Sequence, residues 1–370
     1  MLPSPPTILV PELYRVTGGV QVFSRRLIEA ADTIYGQKLA VVSRNDRRAD
    51  CPPEFLEGRK FTGLGKLPNP LRKYGLISAC LRARAPWFLS SHPNFAPWLR
   101  LQKKPFASVA HGIDVWNIKG SKIAQGLEVA RLVLPVSHYT ADRLRTQIDR
   151  EPPITVFPNT FDDQRFTPGE DQTGWRERLD IPVDAPFFLS MCRVAQSEAG
   201  KGYHRLLELM PEVLKKHPDL HWVLGGKGDD LENVRQKAKD LGVAENCHFP
   251  GFVPDDELVD LYRAASAFIL PSKKEGFGIV FLEAAATGLP VIAGNKDGSV
   301  DALANGELGT LIDPENNEEI LAAISATVDQ PASTLESRQA LHDACAQRFA
   351  QPAFQANLEA VLGSEALRDL

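Results

Sequence analysis

Short apolar runs alternate with helix-periodic stretches, twice over, and this pattern restricts the folds open to the chain more than any other feature. Six runs occupy the first part: Ile8 to Pro11, Lys38 to Ser43, Trp87 to Ser90, Phe106 to Ala110, Leu132 to Val136 and Ile154 to Phe157. Most are β-branched or aromatic and are bounded by turn residues, as buried strands require. Between the first two, Gly19 to Ala31 places Val20, Phe23, Leu27 and Ala30 at helical spacing, with Arg25, Arg26 and Glu29 turned away. A polar, turn-rich stretch from Asp162 to Ala185 interrupts the pattern and reads as a linker. The pattern then resumes with Phe187 to Met191, Leu220 to Leu224, Cys247 to Phe249, Ala267 to Leu270, Val291 to Ala293 and Thr310 to Ile312. Helical stretches at Tyr203 to His217, Asp229 to Leu241 and Asp255 to Ala264 separate them, and Ser333 to Leu362 reads as one or two closing helices.

Strand, helix, strand in repetition means a parallel sheet covered on both faces. The expected fold is α/β, with two tandem Rossmann-like domains facing across a cleft. Their bounds are 1–165 and 166–345, and a C-terminal helix at 346–370 packs back on the first domain. A length of 370 residues suits two cores. Ligands of such sheets bind at the carboxyl ends of the strands.

Composition excludes several classes. With 43% hydrophobic and 24% charged residues the chain is neither disordered nor fibrous. No apolar run approaches the roughly 18 residues of a membrane span, and the first residues lack a signal-peptide pattern. Cys51, Cys80, Cys192, Cys247 and Cys345 are odd in number and widely spaced, which predicts free thiols in a reducing cytoplasm rather than disulfides or a zinc site. The net charge of -5 conceals a division. Up to Phe166 there are 24 Lys and Arg against 14 Asp and Glu, whereas the remainder has 18 against 33. A basic first half suits an anionic partner, and the same charges equally suit a solvated face.

The chemistry concentrates in Pro271 to Pro290. A strand leads into a loop holding Glu275, Gly276, Phe277 and Gly278, after which a helix begins and carries Glu283. Glycines admit close backbone approach, and a helix N-terminus favours anions. Amides for phosphate and carboxylates for hydroxyls suit a sugar diphosphate. The two glutamates lie on the order of 12 Å apart at helical rise. That is too far for a hydrolase pair, which needs about 5 to 9.5 Å.

The E-x7-E spacing of Glu275 and Glu283 resembles the donor-site signature of glycosyltransferase family 4, retaining enzymes of the two-Rossmann B-type fold. Other stretches resemble that family in its own order, over nearly the whole chain. Gly18-Gly19-Val20 is similar to its glycine turn facing the donor phosphates, and His111-Gly112-Ile-Asp114 to its His-Gly motif. Val136-Ser137, Val156-Phe-Pro158-Asn159, Leu224-Gly-Gly226-Lys-Gly228 and Gly251-Phe-Val253-Pro254 resemble further segments, the last its base-binding loop. The resemblance implies that the first domain takes the acceptor and the second the nucleotide sugar. It implies that Glu275 holds donor hydroxyls, Glu283 the ribose, and Arg193 with Lys201 the diphosphate. Gly18, Gly19, Gly226, Val253, Gly276, Phe277 and Gly278 complete the donor surface, and His111 assists near the transferring carbon.

Two stretches depart from the family pattern. Eight positions separate Arg193 from Lys201, more than is usual, and Cys192 stands where the family has glycine. Asn295-Lys-Asp297-Gly298-Ser299-Val-Asp301 replaces a Gly-x-Pro-Glu segment, and both a role in tuning the donor and a solvated loop are open to it. No Asp-x-Asp stands at a strand end, so cations rather than a metal neutralise the leaving group, and no cofactor is expected. His92 and His138 read as structural. The aromatics from Arg82 to Phe106, Trp87 and Trp98 among them, read as core rather than as a nucleic-acid surface.

The expected activity is retaining transfer of a hexose from a nucleotide sugar, UDP-glucose or GDP-mannose in type, to a hydroxyl of a saccharide, lipid-linked saccharide or glycolipid. The expected location is the cytoplasm, with peripheral contact of the basic half to an anionic inner membrane face, as in polysaccharide biosynthesis. Nucleic acid is not an expected partner. A same-fold epimerase or phosphorylase and a non-catalytic nucleotide-sugar-binding homologue stay open. A dehydrogenase is disfavoured, since no G-x-G-x-x-G follows the first strand.

Overall fold

The computed structural model describes residues 2–16, 18–330 and 333–370. The chain divides into one unit of Met1–Thr160 with Gln351–Leu370 and a second of Phe161–Ala350.

The first unit holds a six-stranded sheet of β1 (Thr7–Val10), β2 (Ala40–Ser43), β3 (Phe61–Gly63), β4 (Phe88–Ser90), β5 (Phe106–Ala110) and β6 (Leu132–Pro135). Its order is β3-β2-β1-β4-β5-β6, every pairing parallel, with Ile8 opposite both Val41 and Leu89. The second unit repeats the plan with β7 (Phe187–Met191), β8 (His221–Gly225), β9 (Cys247–Gly251), β10 (Ala267–Leu270), β11 (Val291–Gly294) and β12 (Thr310–Ile312). Its order, β12-β11-β10-β7-β8-β9, is likewise parallel throughout. Counted within each unit, both orders are 3-2-1-4-5-6, the doubly wound Rossmann arrangement. The strand order reverses its progression between β1 and β4 and again between β7 and β10. The loops after those four strands therefore open into the two crevices where such sheets take ligands.

The sheets are buried because both faces are covered. Ile8, Leu9, Val10, Leu189, Leu224 and Phe268 are at or near zero exposure, under helices whose apolar stripes recur at helical spacing. The helix Gly19–Tyr35 buries Phe23, Leu27 and Ile28, and Tyr203–Lys216 buries Leu206, Leu207 and Met210. Trp87 is fully buried and Trp98 packs against the core, so the aromatic stretch is structural.

Two expectations need correction. Ile154 to Phe157 is not a strand: Ile154 bridges Val133, and Thr155 and Phe157 N–H donate to the Val133 and Pro135 carbonyls, but Pro152, Pro153 and Pro158, which carry no N–H, bound the segment and stop the ladder there. The strand β3, three residues at the sheet edge, was too short and polar in its surroundings to read from the sequence. The division also falls at 160/161 rather than 165/166. The linker stretch is tied to the second unit by Arg263 Nε donating to Thr167 C=O (3.0 Å) and Trp175 Nε1 donating to Glu257 C=O (3.2 Å). The tail forms two helices that part at 350/351. Leu335–Phe349 packs on the helix Ile279–Ala286 of the second unit, and Gln351–Leu362 packs on Gly19–Tyr35 of the first. No helix among the described residues is long and apolar enough to cross a membrane.

Candidate active site

The crevice of the second unit brings together Lys201 and Glu275. Lys201 ends the loop that follows β7, and Glu275 lies in the loop that follows β10, the two strands flanking the reversal. Lys201 Nζ donates to Glu275 Oε1 at 2.6 Å, with both side chains largely buried. Burial works against the ammonium, yet the charge and hydrogen bond of Glu275 hold its pKa above the ordinary lysine value. Glu275 is itself fixed from a third strand: Asp297, after β11, accepts its backbone N–H at 2.7 Å.

Glu283 stands inside the helix Ile279–Ala286 and is engaged separately, its Oε2 accepting from Tyr262 Oη at 3.0 Å. Burial pushes its carboxyl up to about 7, against the pull of that hydrogen bond and of the Arg165 charge. Arg193 is exposed just beyond β7 and has no part in the Lys201–Glu275 pair. Cys192 before it is a thiol pushed up by burial to about 12, hence not a nucleophile at neutral pH. Gly226 has φ +131°, and a Cβ there would lie 1.8 Å from the Cys192 carbonyl oxygen. Glycine lets the turn after β8 lie directly on the Cys192–Val194 loop. Val253 is buried beside the same turn. Phe277 is core, 1% exposed and edge-on to Phe349, so Gly276, Phe277 and Gly278 can offer a ligand backbone only.

The crevice of the first unit holds Gly18, Gly19 and His111. Gly18 is the N-cap of a 17-residue helix with no side-chain cap and no acidic residue in its first turn, and its carbonyl accepts Gln21 and Val22 N–H, a helix start of the kind that favours an anion. The approach to it is set by Asp46, fully buried, whose carboxylate accepts the backbone N–H of Leu13, Tyr14 and Arg15 (2.7, 3.2 and 3.1 Å) and the hydroxyl of Ser43. His111, just beyond β5, has Nε2 at 2.7 Å from the Ser91 carbonyl oxygen. A carbonyl only accepts, so Nε2 carries a proton, and in the neutral ring Nδ1 is the acceptor. Phe23 lies edge-on to the ring at 4.9 Å. Asp114 accepts the backbone N–H of His111 and Gly112 and stands 3.7 Å from His92 Nε2. Burial first, then the charges of His111 and Arg44, lower the His92 pKa to about 4 despite Asp114, so the ring is neutral at physiological pH.

Asp46 and Tyr262 were not singled out in the sequence; His92 was read as structural, Asp114 entered only as part of the His-Gly motif, and Asp297 stood in a segment left open between tuning the donor and a solvated loop. Only a common signal marks four of them: Asp46, His92, Asp114 and Asp297 each follow a strand by a few residues, at the ligand edge. Among the described residues no three His, Cys, Asp or Glu side chains are grouped to hold a metal ion.

Two Rossmann units, with a cation–carboxylate pair at the reversal of the second, define a nucleotide-binding transferase architecture, and comparison with known proteins agrees. The profile of the family described as "Glycosyl transferases group 1" matches residues 171–348. A D-inositol 3-phosphate glycosyltransferase of Geodermatophilus obscurus is 35% identical, over 84% of this chain and 78% of the relative. A GDP-mannose-dependent alpha-(1-6)-phosphatidylinositol monomannoside mannosyltransferase of Mycolicibacterium smegmatis is 31% identical, over 55% of this chain and 54% of its own length. The crystal structure of Anabaena HepE in complex with UDP and glucose shares the fold, with TM-score 0.76 at 18% identity over 96% of this chain and 99% of that one. The chain belongs to the group 1 glycosyl transferases.

Proposed function

We propose that this glycosyltransferase is a retaining, metal-independent hexosyltransferase using a nucleotide sugar of the UDP-glucose or GDP-mannose type. The acceptor is a hydroxyl of a saccharide, lipid-linked saccharide or glycolipid. The observation that carries the reading is the Lys201–Glu275 pair at 2.6 Å in the crevice of the second unit. An ammonium and a carboxylate held together there suit a ligand with a diphosphate at one end and hydroxyls at the other. The bond from the sugar's anomeric carbon to the diphosphate oxygen breaks, and the acceptor oxygen bonds to that carbon from the same face. The acceptor proton passes to a phosphate oxygen of the leaving nucleoside diphosphate. Lys201 and Arg193 stabilise the charge that develops on it, Glu275 orients the sugar, and Glu283 takes the ribose hydroxyls. His111 accepts a sugar hydroxyl through Nδ1. No bound metal or cofactor enters this scheme.

The similar proteins divide over the donor: one relative is GDP-mannose-dependent, and one structural neighbour is complexed with UDP and glucose. The names of two relatives, acting on an inositol phosphate and on a phosphatidylinositol mannoside, favour an anionic acceptor, which suits the basic first half. Free cysteines throughout support a cytoplasmic setting, and an anionic acceptor in a bilayer would bring the enzyme to the inner membrane face.

Thermal stabilisation by UDP, GDP, ADP and NAD, each in EDTA, tests this. A ligand at 100 times its Kd adds about 2.7 kcal/mol. One nucleoside diphosphate should shift the melting temperature, and its hexose conjugate should transfer to an acceptor with EDTA present. Glu275→Ala should keep the nucleotide shift and lose transfer by about a hundredfold, the scale of a lost charged contact. A strict divalent-metal requirement, or a shift with NAD alone, would sink the reading. Release of free sugar or an epimer, without dependence on an acceptor, would favour the epimerase or phosphorylase alternative.

A further inference from the structure

Glu275 sits in a loop, and a loop held only by its own sequence does not aim a side chain. What holds it is the segment following β11. The Asp297 carboxylate accepts Glu275 N–H through Oδ2 at 2.7 Å, and Gly298 N–H donates to the Glu275 carbonyl at 3.0 Å. Both polar groups of residue 275's backbone are thus bound by two consecutive residues 22 positions away. The clamp is itself fixed, because Asp297 Oδ1 accepts Ser299 N–H at 2.9 Å. The contact is close: a Cβ on Gly298 would lie 2.2 Å from the Gly276 carbonyl oxygen.

The arrangement suits a carboxylate. Two N–H groups reach separate oxygens of one side chain, Glu275 to Oδ2 and Ser299 to Oδ1, and an amide in the same rotamer would turn its NH2 against one of them. Asp297 is 2% exposed, and no cation pairs with it among the described residues. A buried carboxylate next to another carboxylate is a costly way to brace a loop that glycine or serine could brace locally. The cost has a reason if the loop's aim matters to the reaction.

We propose that Asp297 is a positioning residue for sugar transfer: by clamping the backbone of residue 275 on both sides, it sets where the Glu275 carboxylate and its Lys201 partner stand, and so which donor hydroxyls they meet. The proposal rests on the reading of Glu275 as the group that orients the donor sugar.

The test uses Asp297→Asn in the full chain. Transfer kcat/KM should fall ten- to a hundredfold, the range of one hydrogen bond to a charged group. Binding of the nucleoside diphosphate that stabilises the wild type should stay within twofold. In a Glu275→Ala background the same change should cause no further loss of transfer, since there is no carboxylate left to aim. Wild-type kcat/KM in Asp297→Asn, or a full additional loss in the Glu275→Ala background, would overturn the proposal. A second variant, Gly298→Ala, pushes the two loops apart while keeping the carboxylate; it should give the same selective loss, and unaltered transfer would count against the clamp. Hydrogen exchange at the Glu275 amide reads the clamp without any activity. It should quicken at least tenfold in Asp297→Asn, and an unchanged rate removes the clamp. Absence of hexose transfer by the wild type would instead remove the donor-site reading.

Discussion

The carboxyl of Glu283 is poised where a small change in proton concentration alters what it can hold. Burial raises its pKa to about 7, and only Tyr262 and Arg165 restrain it. In the proposed role of Glu283, a ribose diol donates two hydrogen bonds, which the carboxylate accepts more strongly than the protonated acid, one of whose oxygens becomes a donor. Nucleoside diphosphate affinity should therefore weaken as pH falls from 8 to 6, by at most about tenfold per unit below about 7. The phosphates titrate in the same range, so a 2′,3′-dideoxynucleotide supplies the control: it should show the phosphate contribution alone. Tyr262→Phe removes a hydrogen bond that favours the charged form, so the fall should begin at higher pH. Calorimetric titration across pH reads all three, and equal pH dependence for ribo- and dideoxynucleotide would remove Glu283 from the ribose. At this scale the sequence displayed the glutamates through their spacing but not their partners. Tyr262 and Asp297 lie 21 and 22 residues from the glutamates they serve. Nothing in a linear pattern joins a tyrosine on one helix to a carboxylate on the next.

Strands and helices were largely legible because both sheets are buried on two faces, so each central strand is a short, continuous apolar run. Phe106–Ala110, Phe187–Met191 and Ala267–Leu270 fall where the runs end. Legibility failed at the margins, where burial no longer dictates residue type: the edge strand Phe61–Gly63 is only half-buried, and the proline-flanked Ile154 to Phe157 pairs too briefly with Leu132–Pro135 to extend the sheet. The loops were legible as positions, not as geometry. Gly226 illustrates this, since its neighbour is not in its own motif but in the loop after β7. Gly226→Ala must displace the Cys192 carbonyl, and Arg193 moves with it. Overpacking against backbone together with a strained φ should cost about 2 to 4 kcal/mol. It should also weaken diphosphate binding more than Glu275→Ala does. Melting curves with and without the nucleotide separate the two effects, and an unperturbed melt would show that the turn relaxes elsewhere.

At the scale of the whole chain, the first unit is closed by the last helix. The chain leaves that unit after Thr160, builds all of the second, and returns at Gln351. Its return is anchored by Phe354, 1% exposed, whose ring stands 4.6 Å from Phe157 and 5.6 Å from Phe23. Phe23 in turn lies edge-on to His111, so a C-terminal side chain supports the packing behind a candidate site residue encoded 243 positions earlier. Truncating it leaves a cavity against the rings of Phe23 and Phe157, a loss of about 3 to 5 kcal/mol. That loss should be confined to one unit. In Phe354→Ala, hydrogen exchange should quicken across residues 1–160 and 351–370 and stay near wild type across 161–350. The nucleoside diphosphate should still protect the second unit, whose Lys201–Glu275 pair and Glu283 are untouched, while transfer falls with the first unit's stability. Exchange that rises equally in both units would mean that they unfold as one cooperative body, and the separate account of two cores would then fail.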